Sequence, residues 1–325
     1  MSEEKSARSG DNKSARSGGK KSIARVVTIT AIITAAALVI AAAVGFATGG
    51  FIPGSRGRAS LTIDERKSLP LDGIDLVSIA AVSEHVSIVP GTGSTVDAWL
   101  HGTVDASSRE GLPHLVAERT GTTADIRSER PSMSVGFFWG DLVLEVSIPA
   151  AYMKGLEAKT VSGDIDAADH TYAGLAMSTT SGSIRAGHMS VSELSVHTTS
   201  GGVTAQSVSA KSSDISAVSG DVKVKSLTGD ATVGTTSGGI QLAFVAVPSR
   251  VDAGSTSGDV KVSFPAASQF ALDARSTSGD VRCAFPITIG ENASGGGHHV
   301  LSGTIGTGTG AVTLHTVSGD IRVEK

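Results

Sequence analysis

A chain of 325 residues with 40 Gly, but only two Trp, two Tyr and eight Phe, lacks the large side chains of a thick globular core and suits a thin fold of turns and small residues. The single cysteine, Cys283, excludes an intrachain disulfide framework and any multi-cysteine metal site, and leaves an extracytoplasmic location open. The formal charge of −4 conceals an asymmetry: residues 1–25 hold seven basic and three acidic side chains, leaving 20 basic against 28 acidic residues beyond them, which argues against a nucleic-acid-binding body.

Residues 1–25 are rich in Ser, Gly, Lys and Arg, repeat Lys-Ser-Ala-Arg-Ser-Gly almost intact, and read as a disordered basic tail. From Val26 to Ala47 no charged residue occurs over 22 positions, and a helix rising about 1.5 Å per residue over that length spans the hydrocarbon core. The segment therefore reads as one transmembrane helix. A cleaved signal peptide is the alternative, although its apolar stretch is usually only about 7–15 residues. Basic residues on the N-terminal flank place the tail in the cytoplasm and the rest of the chain outside the cell membrane. Residues 48–60, with Gly49-Gly50-Phe51-Ile52-Pro53-Gly54, form a linker.

Residues 61–325 are expected to form one extracytoplasmic β domain, with an irregular part over 61–155 and regular repeats over 156–325. In the first part Ile74 to Ile88 and Val96 to Leu100 alternate as strands do, and Leu142 to Pro149 is the strongest strand. Arg127 to Gly140 reads as a loop carrying Phe137, Phe138 and Trp139, the only aromatic cluster expected. These three are read as a plug over the open end of the core, with a membrane-touching or partner-binding tip as the alternative.

The second part repeats one motif, Thr/Val-Ser-Gly-Asp-Val/Ile, with glycines at Gly163, Gly182, Gly201, Gly220, Gly238, Gly258, Gly279 and Gly319. Their spacings are 19, 19, 19, 18, 20, 21 and 40, the last read as two periods with a degenerate copy between. A fixed period of this size marks a solenoid. Small apolar residues recur seven and five positions before the glycines, with Ser213 the one polar exception, and two and four after them, so each repeat supplies two strands with one face inward. The expected fold is all-β: a single-stranded parallel β-solenoid with two facing sheets, about 20 residues and about 4.8 Å per rung, and about eight rungs. The glycine serves a corner that needs either a special backbone conformation or a close approach to the next rung. The neighbouring Ser, Thr and Asp can bond turn amides, or the same residue one rung away. Cys283 falls on an inward position and reads as a small buried hydrophobe. Phe285 to His299 breaks the period and reads as a mobile surface loop.

No chemistry of a catalytic kind emerges from these residues. Gly306 to Gly310 is not followed by a helix, which argues against a phosphate cradle. His298 and His299 lack acidic or Cys partners at ligand spacing. The corner aspartates do not follow the nine-residue calcium-roll pattern and read as turn residues, and no serine has a nucleophile-elbow context. No cofactor and no metal are expected. One patterned surface feature remains, three residues after each glycine, where Arg185, Lys223, Lys261, Arg282 and Arg322 occur, joined by Lys225 two residues further on. This is either a solvated face balanced by the corner aspartates or a basic ladder for an anionic envelope polymer or lipid head group.

Leu142 to Pro149 followed by Leu156 to Ile165, the repeated Thr-Ser-Gly-Asp-Val/Ile, and the closing Gly308 to Ile321 resemble the bacterial candidate-adhesin family of β-strand-repeat domains. This is a domain of unknown function related to toastrack-like envelope domains. The resemblance covers about 71–325 and implies a surface-exposed, non-catalytic β-solenoid linked to adhesion or to envelope-stress sensing. Ser183, Gly202 and Gly239 replace the motif Asp, which weakens any strict ligand role for it in every rung. The expected partners are the membrane and an envelope polymer, glycan or protein ligand, with no nucleic acid. A polysaccharide-acting β-helix enzyme is a third reading, disfavoured by the scarcity of Trp and Tyr in the repeats.

Overall fold

Alternation around each glycine forces the chain into short strands whose apolar side chains all turn one way, and stacking those strands in parallel buries them. The computed structural model describes residues 59–106, 112–130, 139–289 and 299–325, and these are all-β, with no helix among them. The expected tail, membrane helix and most of the linker, together with the Phe137–Trp139 side chains and His298, lie outside the described residues. No helix of the described residues is long and apolar enough to cross a membrane.

Two ranks of parallel strands face each other across the core. The first rank runs through Gly155–Thr160, His170–Thr179, the second halves of Ile184–Ser200, Val203–Ser219 and Val222–Ser237, and then Arg250–Ser257. The second rank runs through Ile165–Ala167, the first halves of those same three long strands, Ile240–Phe244 and Val260–Ser263. The long strands show that the return between repeats is hydrogen-bonded as well: His188 to Val191 pairs with Ser207 to Ala210. This stretch adds Tyr172, Met189, Val191, Val208 and Leu227 to the core as a short third side. The inward positions expected from the repeat are buried, among them Leu156, Met177, Ile184, Val203, Ile215, Val222, Val233, Ile240, Val262 and Leu314.

The stack extends into the part expected to be irregular. Leu76–Ala80 and His85–Gly91 pair in parallel with Gly155–Thr160 and Ile165–Ala167, so they make a further rung. Thr123–Glu129 and Trp139–Pro149 pair on its other side and make another. Ten rungs result, the eight that carry the motif and these two, about 43 Å from first to last at about 4.8 Å per step. Antiparallel strands close this end: His114–Thr120 on one rank, and Thr95–Ala106 with Ala59–Pro70 on the other. The Leu115 amide, on an outer edge, donates to Glu65 Oε2 at 2.7 Å, so the edge is capped by a side chain.

The other end departs from the expected order. The 40-residue spacing does not hold a degenerate rung. Instead Gly310–Ser318 and Ile321–Glu324 are inserted between the Gly258 rung and the Gly279 rung, pairing with Arg250–Ser257 and Val260–Ser263 on one side. Phe270–Ser276 and Val281–Cys283 pair on the other. The intervening Val300–Ile305 runs antiparallel along Phe270–Ser276 and ends that rank. The physical reason is the supply of aromatic side chains. Phe244, Phe264, Phe270 and Phe285 stack in sequence with ring centroids 5.1, 4.7 and 5.5 Å apart and fill the end of the core. The expected single aromatic cluster at Phe137–Trp139 was therefore incomplete, and the expected surface loop from Phe285 begins with a residue only 5% exposed. Cys283 lies inward as expected but is half-buried, because its rung ends the second rank and has no further strand to cover it.

The first and the last parallel rungs in sequence, Leu76–Ala80 with His85–Gly91 and Gly310–Ser318 with Ile321–Glu324, are thus held on both sides. Deleting residues 310–325 should remove the only strand partner of Val281–Cys283 and one of the two partners of Val260–Ser263, so that amide protection is lost over 270–305 and survives over 155–242 in hydrogen exchange. Protection retained over 270–283 after the deletion would mean that the inserted rung is dispensable.

Candidate functional site

The corner is built by contact rather than by unusual dihedrals. None of the eight motif glycines has a positive φ, yet a Cβ on any of them would collide with a carbonyl oxygen of the adjoining rung. Gly182 faces Gly163 O, Gly201 faces Gly182 O, Gly220 faces Gly201 O, and Gly238 faces Gly220 O. Gly258 then faces Gly238 O, Gly319 faces Gly258 O, and Gly279 faces Gly319 O. Of the two reasons the sequence allowed, close approach is the one realised.

A buried hydroxyl completes seven of the eight motif corners, at a position that the alternation of apolar residues does not mark. Three residues before the glycine stand Thr160, Thr179, Thr198, Thr235, Ser255, Ser276 and Thr316, each no more than 8% exposed. Thr179 Oγ1 donates to Gly163 O at 3.0 Å and receives the Gly182 amide at 3.1 Å. The same donation recurs from Thr198, Thr235, Ser255, Thr316 and Ser276 to the glycine carbonyl of the adjoining rung. The signal for it was present, since this position is hydroxylated in seven of the eight repeats, with Ala217 the exception.

The motif aspartate reaches across rungs. Asp164 Oδ1 accepts the Ser183 amide at 2.8 Å, Asp221 the Gly239 amide at 2.7 Å, Asp259 the Asp320 amide at 2.8 Å and Asp320 the Asp280 amide at 3.0 Å. Among the described residues no group of three or more His, Cys, Asp or Glu side chains converges as a metal site. At the first corner Glu84 takes the glycine position, opposite Gly163. Its fully buried carboxylate accepts the Val82 and Ser83 amides at 2.9 Å and the Ser128 hydroxyl at 3.0 Å, with Arg130 3.6 Å away. Nothing in the motif pointed to it.

The basic residues lie in one row on the outward face of the second rank, in the order Arg185, Thr204, Lys223, Gln241, Lys261, Arg322, Arg282. The inserted rung sets Arg322 between Lys261 and Arg282. Four of the six basic side chains are paired. Arg185 meets Asp164 at 2.9 Å and Asp166 at 3.1 Å, Lys261 meets Glu324 at 2.8 Å, Arg282 meets Asp280 at 2.8 Å, and Arg322 meets Asp320 at 2.7 Å. Lys223 and Lys225 make no ion pair among the described residues; Lys225 Nζ donates to Gln206 Oε1 at 2.8 Å. The row continues across Asp166, Ser87, Glu145 and Trp99 to Arg66. Arg66 lies 3.8 Å from the Trp99 ring centroid, and His101 stacks on Trp99 at 3.8 Å.

On the outward face of the first rank, His197 bridges Ser195 Oγ at 2.8 Å and Ser216 Oγ at 2.6 Å, with Asp214 opposite Ser195. Burial lowers the imidazole pKa, against the pull of Asp214. The neighbouring strand amides are taken up by the parallel ladder, so no pair of donors is left to stabilise an oxyanion. Gly306 and Gly308, with φ of 61° and 68°, form the turn into the inserted rung. His299 Nδ1 lies 2.7 Å from Gly279 O.

With this geometry in view, the chain matches the family model described as Toastrack DUF4097 over residues 74–324. It belongs to that family, a domain of unknown function. Among solved structures it is similar to a candidate adhesin from Parabacteroides merdae, with 12% identity over 81% of this chain and 96% of that one and a TM-score of 0.47. A candidate adhesin from Bacteroides fragilis shows 11% identity over 84% and 100%, with a TM-score of 0.46. A protein from Parabacteroides distasonis titled as a candidate lipid-binding protein shows 14% identity over 81% and 96%, with a TM-score of 0.35. A comparison with curated proteins gave no match.

Two substitutions three residues apart test the corner. Gly220→Ala should destabilise by about 1–3 kcal/mol through its clash with Gly201 O. Ala217→Ser, which supplies the missing hydroxyl, should stabilise by about 1 kcal/mol. Urea unfolding reads both, and equal signs would refute this account. A second expectation concerns pH. The Asp280 amide holds the Asp320 carboxyl below its usual range. At Asp164 burial opposes, but the Ser183 amide and Arg185 outweigh it, and the shift is also downward. A depressed carboxyl pKa contributes stability that is present above its unfolded value, about 3.9, and is lost as pH falls through the folded value. Stability should therefore fall below about pH 4, and Asp320→Asn should flatten that fall in thermal unfolding across pH.

Proposed function

We propose that this is a single-pass, membrane-anchored, non-catalytic surface module that presents a rigid β-stack to a ligand of the cell envelope or of a neighbouring cell. In this reading residues 1–25 are cytoplasmic, 26–47 cross the membrane, 48–60 form the spacer, and the β domain from 61 onward stands outside. The observation that carries it is the way the corner groups are used. The glycine carbonyls, the buried hydroxyls and the motif carboxylates bond one rung to the next. The outward row of the second rank varies from rung to rung and is the face this reading assigns to recognition. A regular stack whose corner groups bond one rung to the next, with a variable exposed face, suits binding at a distance from the membrane. The uncharged run Val26 to Ala47 and its basic flank supply the anchor and its orientation.

The test uses the full-length protein in intact cells, with an epitope tag at residue 2. Protease added outside should remove the β domain while the tag stays protected. Deleting residues 2–22 should leave binding of the protein to envelope material within about twofold, since a tail of this kind contributes no contact to an external ligand. A β domain that resists protease until the membrane is breached would overturn the orientation. Envelope binding that disappears with the tail would overturn the surface-module reading in favour of a sensor whose output runs through the cytoplasm.

A further inference from the structure

The six basic side chains of the second rank are not equivalent, and the difference traces to the repeats themselves. Arg185, Lys261, Arg282 and Arg322 each stand within reach of a carboxylate of their own or an adjoining strand. Lys223 and Lys225 lie on the Gly220 rung, and on both flanking rungs the motif acid is a glycine, Gly202 and Gly239. Their outward neighbours are uncharged: Thr204 and Gln206 on one side and Gln241 on the other. The motif acid of their own rung, Asp221, directs Oδ1 to the Gly239 amide. Two exposed ammonium groups on alternate residues, about 6.6 Å apart along the strand, are thus left without a counter-ion among the described residues and are bordered by two amides and a hydroxyl.

Chemistry narrows what such a patch can hold. The arginines of this face, whose planar forks suit carboxylates, are engaged by the protein's own aspartates. The cations left over are lysines, compact point charges that suit a phosphate oxygen in many orientations. The face is a flat sheet, so a small anion would be gripped from one side and screened by salt. A polymer that presents several anions at once gains by multivalency. Amide and hydroxyl groups beside the lysines match the hydroxyls of a polyol. We propose that Lys223 and Lys225, with Thr204, Gln206 and Gln241, form a binding site for a linear, phosphodiester-linked polyol polymer lying across the outward face of the stack. The proposal rests on the surface-module reading and names its ligand class.

The experiment measures binding of full-length protein in detergent to immobilised poly(glycerol phosphate), polygalacturonate and neutral dextran, and to phosphatidylglycerol vesicles. The same protein is also tested on a crude envelope fraction. Poly(glycerol phosphate) should bind, with affinity falling as salt is raised, and dextran should not. The double variant Lys223→Glu with Lys225→Glu should lose at least about tenfold. Lys223→Gln with Lys225→Gln should lose several-fold, with unchanged thermal unfolding. The double variant Arg282→Glu with Arg322→Glu, at paired positions, should stay within about threefold of wild type. Equal losses in the two Glu pairs would overturn the site, since charge alone would then explain binding. Equal binding to polygalacturonate, or binding to vesicles alone, would overturn the ligand class. Wild-type binding to the envelope fraction that survives the lysine changes overturns the site but leaves the surface-module reading standing; no binding of wild type to that fraction overturns both.

Discussion

The structure depends on one short distance, the approach of each motif glycine to the corner carbonyl of the adjoining rung, a glycine's in every case but Gly163, which faces Glu84 O. A side chain at that position would push neighbouring rungs apart at the corner, and the error would recur at every step of the stack. Glycine also carries a cost, since it loses more backbone freedom on folding than other residues. The buried hydroxyl three residues earlier offsets part of it by bonding both the carbonyl behind and the amide ahead, as Thr179 does between Gly163 and Gly182. Glu84 shows the rule by exception. At the first corner it can carry a side chain, and that side chain then does the hydroxyl's work by accepting two amides and Ser128.

This arrangement sets which polar groups of the repeat are used inside the stack. Ser-Gly-Asp invites chemistry, but its aspartate is held by the next rung's amide and, at Asp164 and Asp320, by an arginine as well. A carboxylate so engaged is a poor candidate for a metal or for acid–base work. The outward row two residues beyond it carries the variation, from the Arg66–Trp99–His101 group at one end, through an acidic stretch at Glu145 and Asp166, to the inserted basic rung at the other.

Much of the architecture was legible because the repeat has a strong period and its inward strand positions, Ser213 apart, are occupied by apolar residues. The two ranks, the corner glycines and the outward place of Arg185 and Lys223 followed from alternation alone. The first two rungs were not legible, because Leu76–Ala80 and Thr123–Glu129 turn through corners without the motif: one uses Glu84, and the other passes outside the described residues. The insertion of Gly310–Ser318 was hidden for a different reason. A strand carries no mark of which neighbour it pairs with, and the Ser318-Gly319-Asp320 corner fits equally well beyond Gly279 or before it.

What decides between those positions is the end of the core. If the closing strands stood outermost, their inward residues Val312, Leu314, Ile321 and Val323 would face solvent on one side, whereas in the interior each is no more than 1% exposed. The rung displaced outward instead carries Phe270, with Phe264 and Phe285 beside it, and these rings are large enough to seal an end that a row of Val and Leu would leave open. The other end follows the same logic with different residues: the first parallel rung lies inside, a later segment lies outside it, and antiparallel strands finish the edge. A parallel stack has two faces of unpaired strand that invite further strands to add. Placing both terminal parallel rungs inside makes each of them bond on both sides, and leaves the ends to segments shaped to stop the stack.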